Sequence, residues 1–214
     1  MKPYLAKTPH VVSTLFRNQV WSFAKKEKNI YLTFDDGPTP KITEWVLETL
    51  KQYNAQATFF CLGKNIGQNP AVFKKIIDHG HAIGNHTYDH LNGWKSKKKD
   101  YINSVLKTEK IISEFIGHPF QKLFRPPYGR IRISQTNELS KLNYKVIMWS
   151  VLSGDFDHEI TNDQCLKNVI NNSNNGDIIV FHDSVKAFDK LKVVLPKTLK
   201  VLNEKGYNLK KIEN

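Results

Sequence analysis

The chain alternates between two kinds of segment, and this alternation constrains its fold more than any other feature. Short runs rich in β-branched and aromatic residues occur at 29–34 (NIYLTF), 56–63 (QATFFCLG), 81–86 (HAIGNH), 122–127 (KLFRPP), 144–150 (YKVIMWS), 177–183 (DIIVFHD) and 207–212 (YNLKKI). Between them lie longer stretches with apolar residues every three or four positions, the spacing of a helix face. Ile42, Trp45, Val46 and Leu50 make one such stripe. In NPAVFKKIIDHG, Asn69 stands where a helix cap belongs, Pro70 at the first helical position and Gly80 at the end. KDYINSVLKTEKIISEFIG and AFDKLKVVLPKTLKVLNEKG repeat the pattern, with Pro196 expected to kink the second or to begin a new helix. Strand and helix in turn, without hairpin signals, predict right-handed crossovers and a mainly parallel α/β sheet. Seven such units either close into a barrel or lie open as a doubly wound sheet, and the pattern alone is compatible with both.

No linker or repeat interrupts residues 29–214, so a single domain is expected there, with residues 1–28 as an N-terminal extension. In that extension Val11, Val12, Leu15, Phe16, Val20 and Phe23 can form an apolar face beside Lys7, Arg17, Lys25 and Lys26. The segment is expected to cover the bottom of the sheet; the alternative is a basic amphipathic foot making peripheral contact with a membrane. No apolar run approaches the roughly 20 residues of a membrane span. The stretch MKPYLAKTPHVVSTLF lacks the apolar core of a secretory signal, which makes cytoplasmic residence the default expectation. Cys61 and Cys165 read as buried free thiols. The net charge of +12 includes a cluster in WKSKKKD, 94–100, which reads first as a solvated face and second as a contact for an anionic polysaccharide or lipid phosphate. With no aromatic RNA-binding strand and no zinc-finger spacing, nucleic acid is not an expected partner.

Both sheet architectures place function at the carboxyl ends of the strands. The polar residues following each run are Asp35 and Asp36, then His86 and His90, Arg125, Asp155, and His182. Asp-Gly-Pro is an ordinary turn signal, but adjacent carboxylates repel unless a cation relieves them. Two histidines four apart, joined by a carboxylate from another strand, make an N, N, O set with room for water, as catalytic zinc is held. Cobalt and other divalent ions accept the same ligands. His79 and His81 flank Gly80 at a helix end, and His10, His118 and His158 sit in loops without partners.

TFDDG, HTYDH, RPPYG and VFHD resemble, in order and spacing, four signature motifs of the polysaccharide deacetylases. This is carbohydrate esterase family 4, the NodB-homology domain, and the resemblance runs from about Ile30 to the C-terminus. It implies a distorted seven-stranded β/α barrel and metal-dependent removal of an N- or O-acetyl group from an acetylated glycan or lipid-linked amino sugar. Asp36, His86 and His90 would bind the metal, and Asp35 would be the base that deprotonates water. Arg125 would orient Asp35, and the backbone N–H of Tyr128 would hold the oxyanion. His182 would be the acid that protonates the amine, positioned by Asp155. The fourth family motif, roughly D-x-x-D-W, reads here Leu152, Ser153, Gly154, Asp155, Phe156. The second aspartate remains, while the groove wall is altered. Trp149, Leu152 and Phe181 could line an acetyl pocket or pack in the core.

Overall fold

A computed structural model describes residues 4–116 and 120–213; His118 lies outside these. Eight strands are β1 (Asn29–Asp35), β2 (Thr58–Cys61), β3 (Ala82–Asn85), β4 (Leu123–Phe124), β5 (Lys145–Val146), β6 (Val151–Leu152), β7 (Ile178–His182) and β8 (Asn208–Lys210). The helices are α1 (His10–Leu15), α2 (Ile42–Gln52), α3 (Gly63–Gln68), α4 (Pro70–Asp78), α5 (Lys98–Ile116), α6 (Ile133–Lys141), α7 (Asn162–Ile170) and α8 (Phe188–Glu204). The strands pair in parallel in the order β5-β4-β3-β2-β1-β7-β6, with β8 beside the start of β1.

That order settles barrel against open sheet. β5 and β6 stand at its two ends, yet only residues 147–150 join them. The Cα atoms of Val146 and Val151 can therefore be no more than about 18 Å apart, even with the chain fully extended. The sheet must curl until its edges nearly meet, which is the distorted α/β barrel. The single strand expected at 144–150 is accordingly two: residues 145–146 pair with β4, residues 151–152 pair with β7, and residues 147–150 turn the corner.

The N-terminal segment bonds to both edges. Val20 donates to Val146 O at 2.8 Å and accepts from Met148 N at 2.7 Å, while Thr8 donates to Ser150 O and Leu152 to Ala6 O, both at 2.9 Å. Around Phe23, which donates to Gly176 O, and through Lys7, whose ammonium pairs with Asp177, the segment reaches the bottom of the sheet. The expected apolar face over the bottom is thus corrected. Val20 and Phe23 pack inward, but Val11 and Leu15 on α1 are 61% and 73% exposed and Phe16 is exposed as well. The unpaired backbone of two sheet edges is the stronger demand, because each buried N–H or C=O left open costs a hydrogen bond.

Strand alternation sends Ile30, Leu32 and Phe34 to the helix-covered core, where Phe34 stacks on Phe59 at 5.1 Å and on Phe181 at 6.0 Å. α8 runs through Pro196 instead of ending there. Its stripe of Leu191, Val194, Leu195, Leu199 and Leu202 stays buried across the proline. Each buried side chain contributes roughly 1.5–3 kcal/mol, against about 3 for the proline. Asn69 does precede α4, but its amide donates to Asn65 O at 3.1 Å and makes no cap bond. The thiols of Cys61 and Cys165 are buried and free.

Candidate active site

Register brings the strand ends to one level. Asp35 is the Cα partner of His182 across β1 and β7, and of Phe60 across β1 and β2; Cys61 pairs with Asn85, and Asn85 with Phe124. Asp36, His86 and Arg125 each follow the last paired residue of a strand, so they emerge on one rim with Asp35 and His182. They surround a cleft of about 770 Å³, lined by Tyr4, Asp35, Asp36, His86, His90, Tyr128, Arg130, Trp149, Leu152, Phe156, Val180, His182 and Lys186. Of the three residues considered for an acetyl pocket, Trp149 and Leu152 line this cleft. Phe181 does not, because alternation along β7 turns it to the core while Val180 and His182 face the opening.

Asp36 Oδ1 lies 3.7 Å from His86 Nε2 and 3.3 Å from His90 Nε2. One ligand atom from each residue falls within 4.8 Å of the others. Asp36 Oδ1 is buried and has no hydrogen-bond partner, a condition that native proteins rarely leave without an ion or water. His86 Nδ1 donates to Arg125 O at 2.8 Å, which leaves the Nε2 lone pair facing Asp36. Burial pushes the His86 imidazole down to about 4, so it is neutral and ready to ligate. These side chains fit a divalent cation.

Backbone strain gathers at the same place. Asp36 (φ 83°), Thr87 (66°), His90 (63°) and Tyr128 (60°) all hold left-handed conformations, each costing on the order of 1–3 kcal/mol. Neighbouring bonds retain them: Asn65 Nδ2 donates to Asp36 O at 2.7 Å, and Leu91 N–H to Thr87 Oγ1 at 3.0 Å. Tyr128 is exposed at the cleft, its ring edge-on to His90 at 4.4 Å.

Arg125 is fully buried and stacks on Phe60, its guanidinium 4.2 Å from the ring centre. It donates to Asp35 Oδ1 at 2.8 Å, Thr33 Oγ1 at 2.6 Å, Met148 O at 2.9 Å and Ile147 O at 3.3 Å. Burial raises the Asp35 carboxyl, but the Arg125 guanidinium, aided by the protonated His182, outweighs it and holds the group below the usual carboxylate range. On the opposite side of the cleft the signs reverse. Burial lowers His182, and the Asp155 carboxylate overcomes this and lifts it to about 9. Asp155 Oδ1 accepts from His182 Nδ1 and Oδ2 from the His182 backbone N–H, both at 2.8 Å, while the Ser153 hydroxyl donates to Oδ1 at 3.0 Å.

All eight residues singled out by sequence are therefore in one place: Arg125 and Asp155 stand behind the cleft and the other six line it. His79 and His81 stay outside, the latter accepting from Ala57 N–H at 3.2 Å. Asp183 was missed. Fully buried, it accepts from Gly37 N–H at 3.1 Å and from the Thr43 hydroxyl, and burial with nearby Asp36 pushes it up to about 8. A Cβ on Gly37 would collide with the Asp183 carboxylate, so the glycine of DDG admits this contact. The available signal was an aspartate two residues past the buried IIVF run, directly after His182. No motif pointed to Tyr4, Arg130 or Lys186.

The family model for polysaccharide deacetylases matches residues 23–147, more than half of the chain. The chain belongs to the polysaccharide deacetylases. Among relatives of this polysaccharide deacetylase, a peptidoglycan-N-acetylglucosamine deacetylase of Bacillus cereus is 35% identical over 188 residues, covering 87% of each chain. A second from that organism is 39% identical over 170 residues, 76% of this chain and 61% of its own length. The peptidoglycan-N-acetylglucosamine deacetylase PgdA of Listeria monocytogenes is 35% identical over 190 residues, 89% of this chain and 39% of its own. The chain thus spans less than two thirds of the latter two. Among solved structures, the Bc1960 peptidoglycan N-acetylglucosamine deacetylase superimposes with a TM-score of 0.84 at 34% identity, covering 94% of each chain.

Proposed function

We propose that this polysaccharide deacetylase hydrolyses the N-acetyl group of an amino sugar within a cell-wall or chito-oligosaccharide glycan. In this reading Asp36, His86 and His90 hold a divalent ion, zinc before cobalt. The observation that carries the reading is the pairing of Asp35 and His182 on adjacent strands beside that N, N, O set. One carboxylate is held ionised by Arg125 and one imidazole is held protonated by Asp155, which is the division that amide hydrolysis needs. The names of the relatives support an acetylated peptidoglycan substrate.

The ion, when bound, supplies a Lewis acid that polarises the acetyl carbonyl and acidifies water at the site. The chain's own groups do the rest. Asp35 takes a proton from the attacking water, and its depressed basicity is offset by that acidification. The Tyr128 N–H donates to the carbonyl oxygen as negative charge builds. His182 gives the proton on Nε2 to the departing amine nitrogen, so the sugar leaves as an amine and the acyl group as acetate. Trp149 and Leu152 shelter the acetyl methyl. Asp35→Asn and His86→Ala tested for acetate release on N-acetylated chito-oligomers and peptidoglycan fragments, with zinc added and removed, decide the matter. Wild-type turnover in either variant overturns these roles.

A second reading concerns location. Leu5, Val11, Leu15 and Phe16 are exposed on the N-terminal segment beside Arg17, which favours peripheral contact with an anionic membrane or another envelope surface. Among the described residues no helix is long and apolar enough to cross a membrane. Equal recovery with and without anionic liposomes in a sedimentation assay would end this reading.

A further inference from the structure

The altered fourth motif leaves a question: what completes the cleft wall where Phe156 stands in place of the tryptophan that the family resemblance implies? The N-terminal segment does. Residues 6–8 are fastened along β6 by backbone bonds from Thr8 to Ser150 and from Leu152 to Ala6. The Thr8 hydroxyl donates to Trp149 O at 2.9 Å, and Lys7 pairs with the buried Asp177 carboxylate and donates to Asn172 O at 2.8 Å. Two residues before this anchor, Tyr4 turns into the cleft. Its hydroxyl donates to Asp157 Oδ2 at 3.0 Å, and its ring packs on Phe156 with centroids 5.5 Å apart. Phe156 in turn meets His182 edge-on at 5.1 Å. Gly154 belongs to the same device. Its φ of +77° suits glycine, and a Cβ there would stand 2.7 Å from the Tyr4 hydroxyl.

From this placement we infer that Tyr4 is a substrate-contact residue, which holds the apolar face of the pyranose whose nitrogen is being released. The inference rests on the deacetylase reading. The geometry requires little else. His182 must reach the leaving nitrogen, so the sugar carrying that nitrogen lies on the His182 side of the cleft. The aromatic surface available on that side is Phe156 extended by Tyr4. A tyrosine suits the task because its ring is an apolar platform and its hydroxyl is a tether. The N-terminal segment is then part of the active site and sets which sugars fit there.

The test uses the zinc-loaded protein with all 214 residues and two readouts: calorimetric binding of tetra-N-acetylchitotetraose, and acetate release from the same compound. Tyr4→Leu, which keeps bulk but loses the ring face, is expected to weaken binding and raise KM by about tenfold, with kcat changed less than about twofold. Tyr4→Phe, which keeps the ring and loses the tether, is expected within about threefold of wild type in both. Zinc content and melting temperature of each variant report whether the fold has suffered. Wild-type binding and KM in Tyr4→Leu overturn the inference, as does a loss confined to kcat or a wild-type protein that does not bind the tetramer. If wild type binds, Tyr4→Leu binds more weakly and neither releases acetate, the deacetylase reading fails while the contact stands.

Discussion

At the scale of single residues, the site is organised by two buried charge pairs of opposite logic. Arg125 has no route to water, so removing its partner or removing it strands a charge. Arg125→Met is expected to lower unfolding free energy by about 3–5 kcal/mol, measured by chemical denaturation, because Asp35 is left buried without its cation. Asp35→Asn keeps an acceptor for Arg125, so it should cost less stability while abolishing acetate release. The second pair carries the pH dependence. His182 keeps its proton to about pH 9 in the folded protein, against an ordinary value of 6.5. Its stabilising pairing is therefore complete below 6.5 and lost as pH rises through about 9. If His182 is the acid, the alkaline limb of activity falls near 9 in wild type and moves toward neutrality in Asp155→Asn. The stability difference between wild type and that variant should also be larger at pH 6 than at pH 10. A limb that does not move would remove Asp155 from the role.

At the scale of elements, the close fit between β7 and the loop after β1 matters most. Asp183, one residue past β7, grips Gly37 N–H and so fixes the turn that presents Asp35 and Asp36. Gly37→Ala sets a methyl against that carboxylate. It is expected to destabilise by about 1–3 kcal/mol, an overpacking cost, and to lower zinc affinity together with activity. Isothermal titration of zinc into wild type and Gly37→Ala reads this directly, and unchanged affinity would show that the turn tolerates the shift. The N-terminal segment is the other element with an outsized role, since it pairs with both β5 and β6 where the curled sheet fails to close.

At the scale of the whole molecule, folding and metal binding are one equilibrium if the N, N, O set exists only in the folded chain. Zinc at a thousand times its dissociation constant should stabilise wild type by about 4 kcal/mol. The rise in melting temperature should vanish in His86→Ala and return on no addition of zinc. A zinc-independent melting temperature in wild type would argue against the site. The fold supports this coupling because Asp36, His86 and His90 come from the ends of two different strands, β1 and β3, with β2 between them.

Alternating apolar runs and helix stripes were enough to determine parallel α/β order, and residue types at the ends of those runs determined the carboxylates, imidazoles and arginine of the site. Both are local patterns, written in side-chain periodicity and in short motifs. Closure was not local. It followed from β5 and β6 lying at opposite ends of the strand order while only four residues join them. The same holds for the apolar run at 144–150, which splits because its two ends pair with different neighbours. It holds for Phe181, whose face is decided by the register of β7. Asp183 acquired meaning only when Gly37 came to rest against it, and Tyr4 only when a segment far away in sequence was bonded along β6. Periodicity records which residues prefer to be buried; which distant partner buries them is decided by tertiary packing alone.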